Sequence, residues 1–157
     1  MQTAFKYSVV WYYQELARRV GGEKEKYWLD KVHYGNADTS GGIDRFWLFG
    51  GLRISPEQQI DFLTRLYKNQ LPFSRRSMDI VKKIMIAEET PDYVLRAKTG
   101  WSEQDSLSIG WYVGYVQTKD NAYFFATCLQ SANPDNTDFG GARIQITRAI
   151  LKALKVL

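Results

Sequence analysis

Residues 108–131 read SIGWYVGYVQTKDNAYFFATCLQS, two apolar and aromatic runs separated by a Lys-Asp-Asn turn. β-branched and aromatic residues favour strands, and a short polar turn between two such runs is typical of an antiparallel hairpin. A third strand-like run, YVLRAKTG, precedes the hairpin at 93–100, and the amphipathic segment at 142–154, ARIQITRAILKAL, follows it as a predicted helix. This part of the chain therefore predicts a three-stranded antiparallel sheet with a C-terminal helix over one face.

The sequence before the strands is patterned as helices. In residues 4–22, AFKYSVVWYYQELARRVGG, apolar side chains recur at three- and four-residue steps until two glycines end the run, which predicts one amphipathic helix. Ser55, Pro56 and Gln58 combine an N-cap, a proline at the first helical position and a capping-box partner, so residues 56–69 are predicted to be helical. Further helices are predicted over residues 23–32 and from Ser74 to about Ile86.

The order of these elements predicts an α+β fold, mainly helical over residues 1–90 and made of the sheet and terminal helix over 91–157. The chain has 157 residues, 45% of them apolar, with no internal repeat or linker, so one domain is expected. A three-stranded sheet is narrow, and an outer strand would leave backbone groups unpaired unless another segment covers it. The narrow sheet is a first indication of missing sequence.

Composition excludes some functions and leaves others open. A formal charge of +4, spread along the chain, suits an anionic small ligand as well as a nucleic acid. Cys128 is the single cysteine, so neither an internal disulfide nor a thiolate metal site is possible; a buried, inert thiol is expected. His33, the single histidine, is expected to be a solvated or locally bonded loop residue. No membrane span and no signal-peptide pattern is found in these residues.

Residues 96–101, RAKTGW, suggest a binding site at the end of a strand. Lys98 offers a point charge and Thr99 a hydrogen-bond donor, while Gly100 lets another molecule approach the backbone. On the tripeptide alone, a strand that simply runs into a turn is the favoured explanation. Four other short motifs change that balance: Ser8-Val9-Val10, Tyr34-Gly35-Asn36, Phe46-Trp47-Leu48 and Arg143 near the start of the last helix.

In this order and spacing, the five motifs closely resemble those of the class D, oxacillinase-type serine β-lactamases and of the related penicillin-sensing domains of membrane receptors. The resemblance covers essentially all 157 residues. It implies the serine β-lactamase and penicillin-binding, transpeptidase-like fold, a β-lactam antibiotic as the ligand, and a periplasmic or secreted location. It gives no reason to expect a nucleic-acid partner or a metal.

The resemblance assigns roles to the strand motif and to the terminal helix. In the family, the lysine, threonine and glycine face the active site, and the arginine helps to bind the carboxylate of a penicillin-like substrate. Carried over, Lys98 is catalytic, whereas Thr99, Gly100, Trp101 and Arg143 bind the substrate. A cation near a helix N-terminus is electrostatically unfavourable, which favours a functional reason for Arg143.

The remaining motifs are assigned in the same way. Ser8 resembles the family's second-motif serine, a hydroxyl that relays protons near the nucleophile. Trp47 resembles the hydrogen-bond donor to a carboxylated lysine, and Val10 and Leu48 resemble the apolar walls around that lysine. Because a carbamate forms only on a neutral amine, such walls are part of the chemistry. Tyr34 is expected to shape the edge of the pocket.

One element of the family pattern is missing. The family's nucleophilic serine and its carboxylated lysine share a Ser-x-x-Lys motif that precedes the Ser-x-Val motif, and no Ser-x-x-Lys occurs in these residues. The nearest arrangement, Thr3 to Lys6, lies beside the second motif and cannot also be the first. The chain thus resembles the C-terminal portion of a class D enzyme. No cofactor is expected in it, because the lysine that carries the family's CO2-derived carbamate is absent.

Two functional hypotheses follow. In the first, the chain contributes to β-lactam hydrolysis when a Ser-x-x-Lys segment completes it and is inactive alone; a complementary N-terminal polypeptide or a homo-oligomer is then the expected partner. In the second, the chain is a penicillin-binding sensor domain or a non-catalytic remnant that acts as a binding module. Trp47 and Leu48 resemble the hydrolytic enzymes and favour the first hypothesis.

Overall fold

The computed structural model describes residues 1–104, 107–132 and 138–157. The element order, helices followed by strands and a final helix, confirms the predicted α+β class. Within the described ranges, no helix is both long and apolar enough to cross a membrane. The elements are α1 (Gln2–Lys6), α2 (Val10–Val20), α3 (Gly22–Lys31), α4 (Pro56–Tyr67), α5 (Arg75–Ile84), β1 (Ile86–Glu89), β2 (Tyr93–Gln104), β3 (Leu107–Thr118), β4 (Ala122–Ser131) and α6 (Phe139–Ala153).

The sheet is antiparallel throughout, with strand order β1-β2-β3-β4. The predicted hairpin is confirmed: β3 pairs with β4, and the Thr118 N–H closes the turn on the Asn121 carbonyl at 2.9 Å. Gly100, Trp111 and Cys128 are neighbours across three strands. Since side chains directly opposite each other share a face, this row lies on the same side of the sheet as Lys98, two residues before Gly100.

The prediction of three strands was wrong, because a fourth strand, β1, pairs with the first part of β2. The helix expected to reach Ile86 ends at Ile84, and Ile86 pairs with Arg96. The sequence Ile-Ala-Glu-Glu has little strand character of its own, so tertiary pairing determines its conformation. β1 pairs only as far as Arg96, and the Ala97 N–H donates to Met85 just beyond it. In the described parts of the chain, no strand pairs with this edge of β2 from Lys98 onward, and the edge borders a cleft.

The single first helix predicted over residues 4–22 is also wrong. Helix α1 ends at Lys6 and α2 begins at Val10, so Ser8 lies in the connection and not on a helix. Ser8 has φ 50°, in the left-handed region that non-glycine residues rarely adopt. The β-branched residues that follow it are weak helix formers, and the Ser8 side chain is bonded to the sheet. A tertiary contact therefore interrupts a pattern that is helical in period.

Two apolar clusters, one on each sheet face, hold the elements together. Tyr112 and Val116 of β3 pack towards α6, where Leu151 is buried. Val113 and Tyr115 point to the opposite face, against Leu63 and the rest of a helical layer from α4 and α5. The capping box predicted for α4 is confirmed: the Gln58 N–H donates to Ser55 Oγ at 3.2 Å, and the Ser55 N–H to Gln58 Oε1 at 2.9 Å.

Candidate active site

An open cleft of about 1200 Å³ lies between α2, the loop around residue 50, the free edge of β2 and the start of α6. Every site residue predicted from the sequence lines this cleft, so the structure brings together side chains from the whole length of the chain. They are Ser8, Val10, Tyr34, Trp47, Leu48, Lys98, Thr99, Gly100, Trp101 and Arg143.

Ser8, Lys98 and Thr99 form a hydrogen-bonded cluster at the centre of the cleft. The Lys98 ammonium donates to Ser8 Oγ, to the Thr99 carbonyl at 2.6 Å and to Thr99 Oγ1 at 3.3 Å. The two hydroxyl oxygens are 3.4 Å apart. The left-handed backbone at Ser8 turns its hydroxyl towards β2, so the strained conformation and the contact occur together.

The electrostatic environment of Lys98 makes its amine unusually acidic. Burial and, to a smaller extent, the positive charge of Arg143 together lower the pKa of Lys98 from 10.5 to about 8. The ammonium also lies 5.6 Å from the centre of the Phe5 ring. A pKa near 8 leaves about a tenth of the amines neutral at pH 7. Lys98 can therefore both hold and release a proton to the Ser8 hydroxyl near neutral pH.

Arg143 presents a desolvated guanidinium at one end of the cleft. The residue is only 8% exposed, and its Nε and Nη1 atoms are buried without a hydrogen-bond partner in the described ranges. Burial lowers its pKa, and the Trp101 ring lies 5.4 Å from its Cζ. A buried cation with two unused donors is expensive unless an anion binds there. Arg143 is therefore not the solvated surface arginine that is ordinary near a helix start.

The glycine of the strand motif has a structural reason in addition to the predicted one. A Cβ on Gly100 would lie 3.3 Å from the Cβ of Trp111, its partner on β3. Its missing side chain therefore lets Trp111 pack close to β2 and also leaves the strand edge open towards the cleft. Room for a bound ligand at Gly100 stays a prediction.

The opposite wall is formed by the loop motifs. Tyr34 packs edge-on against Phe62, with ring centroids 5.0 Å apart, and burial raises the pKa of its hydroxyl. Trp47 is half-buried against Phe46 at 4.8 Å. Leu48 is also half-buried, whereas Val10 is 45% exposed. Their predicted roles towards a carboxylated lysine concern a residue that this chain does not contain, so these roles stay predictions.

The loop motif is held in place by Asn36. Its Oδ1 accepts from the Arg53 N–H at 2.9 Å, and its Nδ2 donates to the Gly51 carbonyl at 2.9 Å. Gly35 has φ 56°, and a Cβ there would lie 1.9 Å from the Arg53 carbonyl oxygen. These contacts give the motif a structural function: they clamp residues 35–36 to 51–53, on either side of the Trp47 segment.

The sequence analysis missed several residues of the cleft. Cys128, expected to be buried, is only half-buried, and it lines the cleft beside Trp111. Burial is still sufficient to raise the pKa of its thiol. The hairpin register could have revealed that Cys128 lies near the strand motif, since Cys128 pairs with Trp111 and Trp111 pairs with Gly100. Tyr13 and Gln59 also line the cleft, each with a buried oxygen that has no partner within the described residues.

Sequence comparison gives close relatives for nearly the whole chain. Residues 1–152 match the penicillin-binding protein transpeptidase domain. The chain is 46% identical over 155 residues to "Beta-lactamase OXA-48" of Klebsiella pneumoniae, covering 99% of this chain and 57% of the relative. It is 45% identical over 151 residues to "Probable beta-lactamase YbxI" of Bacillus subtilis, covering 96% and 53%. The chain spans about half the length of the curated relatives it matches.

Solved structures agree with the sequence matches. The class D β-lactamase YbXI from Nostoc superposes with a TM-score of 0.93 at 49% identity, covering 99% of this chain and 65% of that one. A class D β-lactamase from Sebaldella termitidis gives 0.94 at 40% identity, covering 99% and 63%. The predicted resemblance to class D β-lactamases and the predicted fold are both confirmed.

Proposed function

The chain belongs to the penicillin-binding protein transpeptidase family, with class D β-lactamases among its relatives, and on that premise we propose that it forms one side of a β-lactam-hydrolysing active site. The nucleophile and the carboxylated lysine come from a Ser-x-x-Lys segment outside these 157 residues. The observation that carries the proposal is the cluster of Ser8, Lys98 and Thr99 in the same cleft as Arg143, whose buried Nε and Nη1 have no hydrogen-bond partner among the described residues.

Substrate recognition is assigned to Arg143 and to the free edge of β2. The carboxylate of a penicillin-like substrate is opposite in charge to the Arg143 guanidinium that lines the cleft, and the desolvated position strengthens a charge-assisted interaction. Thr99 adds a hydroxyl donor in the same cleft. Beyond Arg96 the edge of β2 is not paired with β1, so the backbone next to Gly100 is accessible to a ligand in the cleft.

Proton transfer is assigned to Ser8 and Lys98. When a serine attacks the β-lactam carbonyl, the ring C–N bond breaks and the nitrogen must gain a proton. The Ser8 hydroxyl gives its proton to that nitrogen and takes one from the Lys98 ammonium, which ends as a neutral amine. A Lys98 pKa of about 8 makes this transfer energetically easier than it would be from an ordinary lysine. When present, the family's carboxylated lysine supplies the base for hydrolysis, with Val10 and Leu48 as its apolar walls and Trp47 as a donor.

The dimensions of the cleft support a polypeptide partner. At about 1200 Å³ it exceeds the roughly 300–1,000 Å³ typical of small-molecule pockets. One face of α2, carrying Tyr13, Ala17 and Val20, lines the inner part of the cleft at helical spacing. A second apolar segment that also brings the nucleophile would cover this face. The resemblance implies that the assembly works in the periplasm or outside the cell.

The test is hydrolysis of nitrocefin with bicarbonate present. We expect no turnover by the chain alone and turnover after co-expression with the N-terminal segment of a class D β-lactamase that carries Ser-x-x-Lys. The matched control is the same segment with its serine changed to alanine. A covalent penicillin adduct on Ser8 or Thr3 of the isolated chain, detected by intact mass, would contradict the assigned roles. Acylation of the completed assembly without turnover would favour the penicillin-binding sensor.

A further inference from the structure

The Trp101 indole packs against the first turn of α6. It meets the Phe139 ring edge-on, with centroids 5.1 Å apart, and lies over the guanidinium of Arg143. The indole also lies against Gly140. A Cβ built on Gly140 would lie 3.2 Å from Trp101 Cζ3, closer than side chains normally pack. Because Trp101 is 42% exposed at the mouth of the cleft, its ring is free to move outward if something pushes it.

A second glycine, on the sheet, makes room for the side chains of Phe139 and Arg143. Gly110 is the β3 partner of Trp101, and a Cβ on it would lie 3.1 Å from Phe139 and 3.3 Å from Arg143 Nη1. The guanidinium is thus placed against a bare stretch of sheet, with the indole over it. The whole arrangement depends on two positions without a side chain.

We propose that Gly140 is a positioning residue for anion recognition: its missing side chain seats the Trp101 indole over Arg143 and so fixes the plane of the guanidinium at the cleft. A guanidinium on a flexible stem can rotate, whereas one stacked on an aromatic ring keeps its plane. The identity of the anion, a β-lactam carboxylate, rests on the proposed function. The seating of the indole does not.

Nuclear magnetic resonance of the full chain tests the seating with a matched pair of variants. Gly140→Ala and Gly141→Ala both add a methyl group and helix propensity in the first turn of α6, but among the described residues the Gly141 methyl would meet only Gln145 Nε2, at 3.4 Å. Trp101→Phe assigns the Trp101 indole resonance. We expect Gly140→Ala to shift that resonance and the ring-current shift at Arg143 Nε–H, and Gly141→Ala to shift neither. Unchanged resonances in Gly140→Ala, or equal changes in both variants, would overturn the proposal.

Titration of the same samples with benzylpenicillin and with its methyl ester tests the consequence. Loss of the stacking should weaken carboxylate binding about two- to fivefold in Gly140→Ala, with no change in Gly141→Ala and no difference between the variants for the uncharged ester. A moved indole with unchanged affinity would overturn the link to recognition. If the unmodified chain binds the penicillin no better than the ester, the proposed function loses its support, while the resonances still decide the role of Gly140.

Discussion

Replacing Lys98 with methionine should change how the stability of the fold depends on pH. The folded-state pKa of about 8 lies below the ordinary 10.5, chiefly because burial disfavours the charge. Between these two values the unfolded chain binds more protons than the folded one, so unfolding becomes harder as the pH rises. Below about pH 8 the penalty for the buried charge is fully present. In Lys98→Met this contribution is absent at every pH.

The size of the effect follows from the pKa change. At 1.36 kcal/mol per tenfold change, raising the pH from 7 to 9.5 relieves the unmodified chain of about 2 kcal/mol, and about 1 kcal/mol remains after discounting for the solvent that reaches Lys98. The hydrogen bonds to Ser8 and Thr99 that the variant loses add only an offset that is nearly constant with pH. For a chain of this size, 1 kcal/mol corresponds to roughly 2–4 °C in Tm.

The assay is thermal unfolding of both proteins from pH 7 to 9.5. As the pH rises over this window, we expect the Tm of the unmodified chain to increase by roughly 2–4 °C relative to that of Lys98→Met. Lys83→Met, at an exposed position of α5, is the control and should give a profile parallel to that of the unmodified chain. Parallel profiles for Lys98→Met as well would refute the conclusion that Lys98 carries a desolvated charge.

Three further perturbations test other parts of the structure. Arg143→Ala in the completed enzyme should lower kcat/KM about 10- to 100-fold through a lost charge-assisted contact, measured with penicillin; unchanged kinetics would remove it from the site. Glu88→Gln should destabilise the fold by less than about 1 kcal/mol at pH 7, because its hydrogen bond with Arg148 lowers the Glu88 pKa; this difference should vanish as the pH falls through that pKa, and denaturant titrations at pH 7 and at stepwise lower pH check it. Gly35→Ala should cost more than about 1 kcal/mol in the same assay, since a Cβ clashes with the Arg53 carbonyl at a left-handed position.

The features that the sequence predicts correctly are determined by neighbours along the chain. The Ser55 capping box satisfies helix N–H groups within one turn, and the β3–β4 hairpin closes over a turn of a few residues. The residues of the site were found for another reason, since they were transferred from a family pattern. Nothing in the periodicity of the chain indicates that Arg143 and Lys98 lie in the same cleft.

The errors occur where distant segments decide the local conformation. β1 is a strand because β2 offers it an edge and because Glu88 bonds to Arg148 on α6 at 2.7 Å. Ser8 leaves the helical region because its hydroxyl is bonded to Lys98, ninety residues away in the chain. The Glu88–Arg148 and Ser8–Lys98 contacts join residues 60 and 90 positions apart, so no short window of the sequence contains both partners.

Unfavourable features are concentrated around the cleft. Ser8 has a left-handed backbone, Lys98 holds a desolvated charge, and Arg143 has two donors without partners in the described ranges. Tyr13 and Gln59 each add a buried side-chain oxygen that has no hydrogen-bond partner in the described ranges. Each feature costs free energy in the chain as it stands, and the apolar clusters on the two sheet faces must supply that free energy. An anion at Arg143 and a donor-bearing segment against Tyr13 and Gln59 would relieve most of these costs. The strain at Ser8 would remain, since it is what aims the hydroxyl at Lys98.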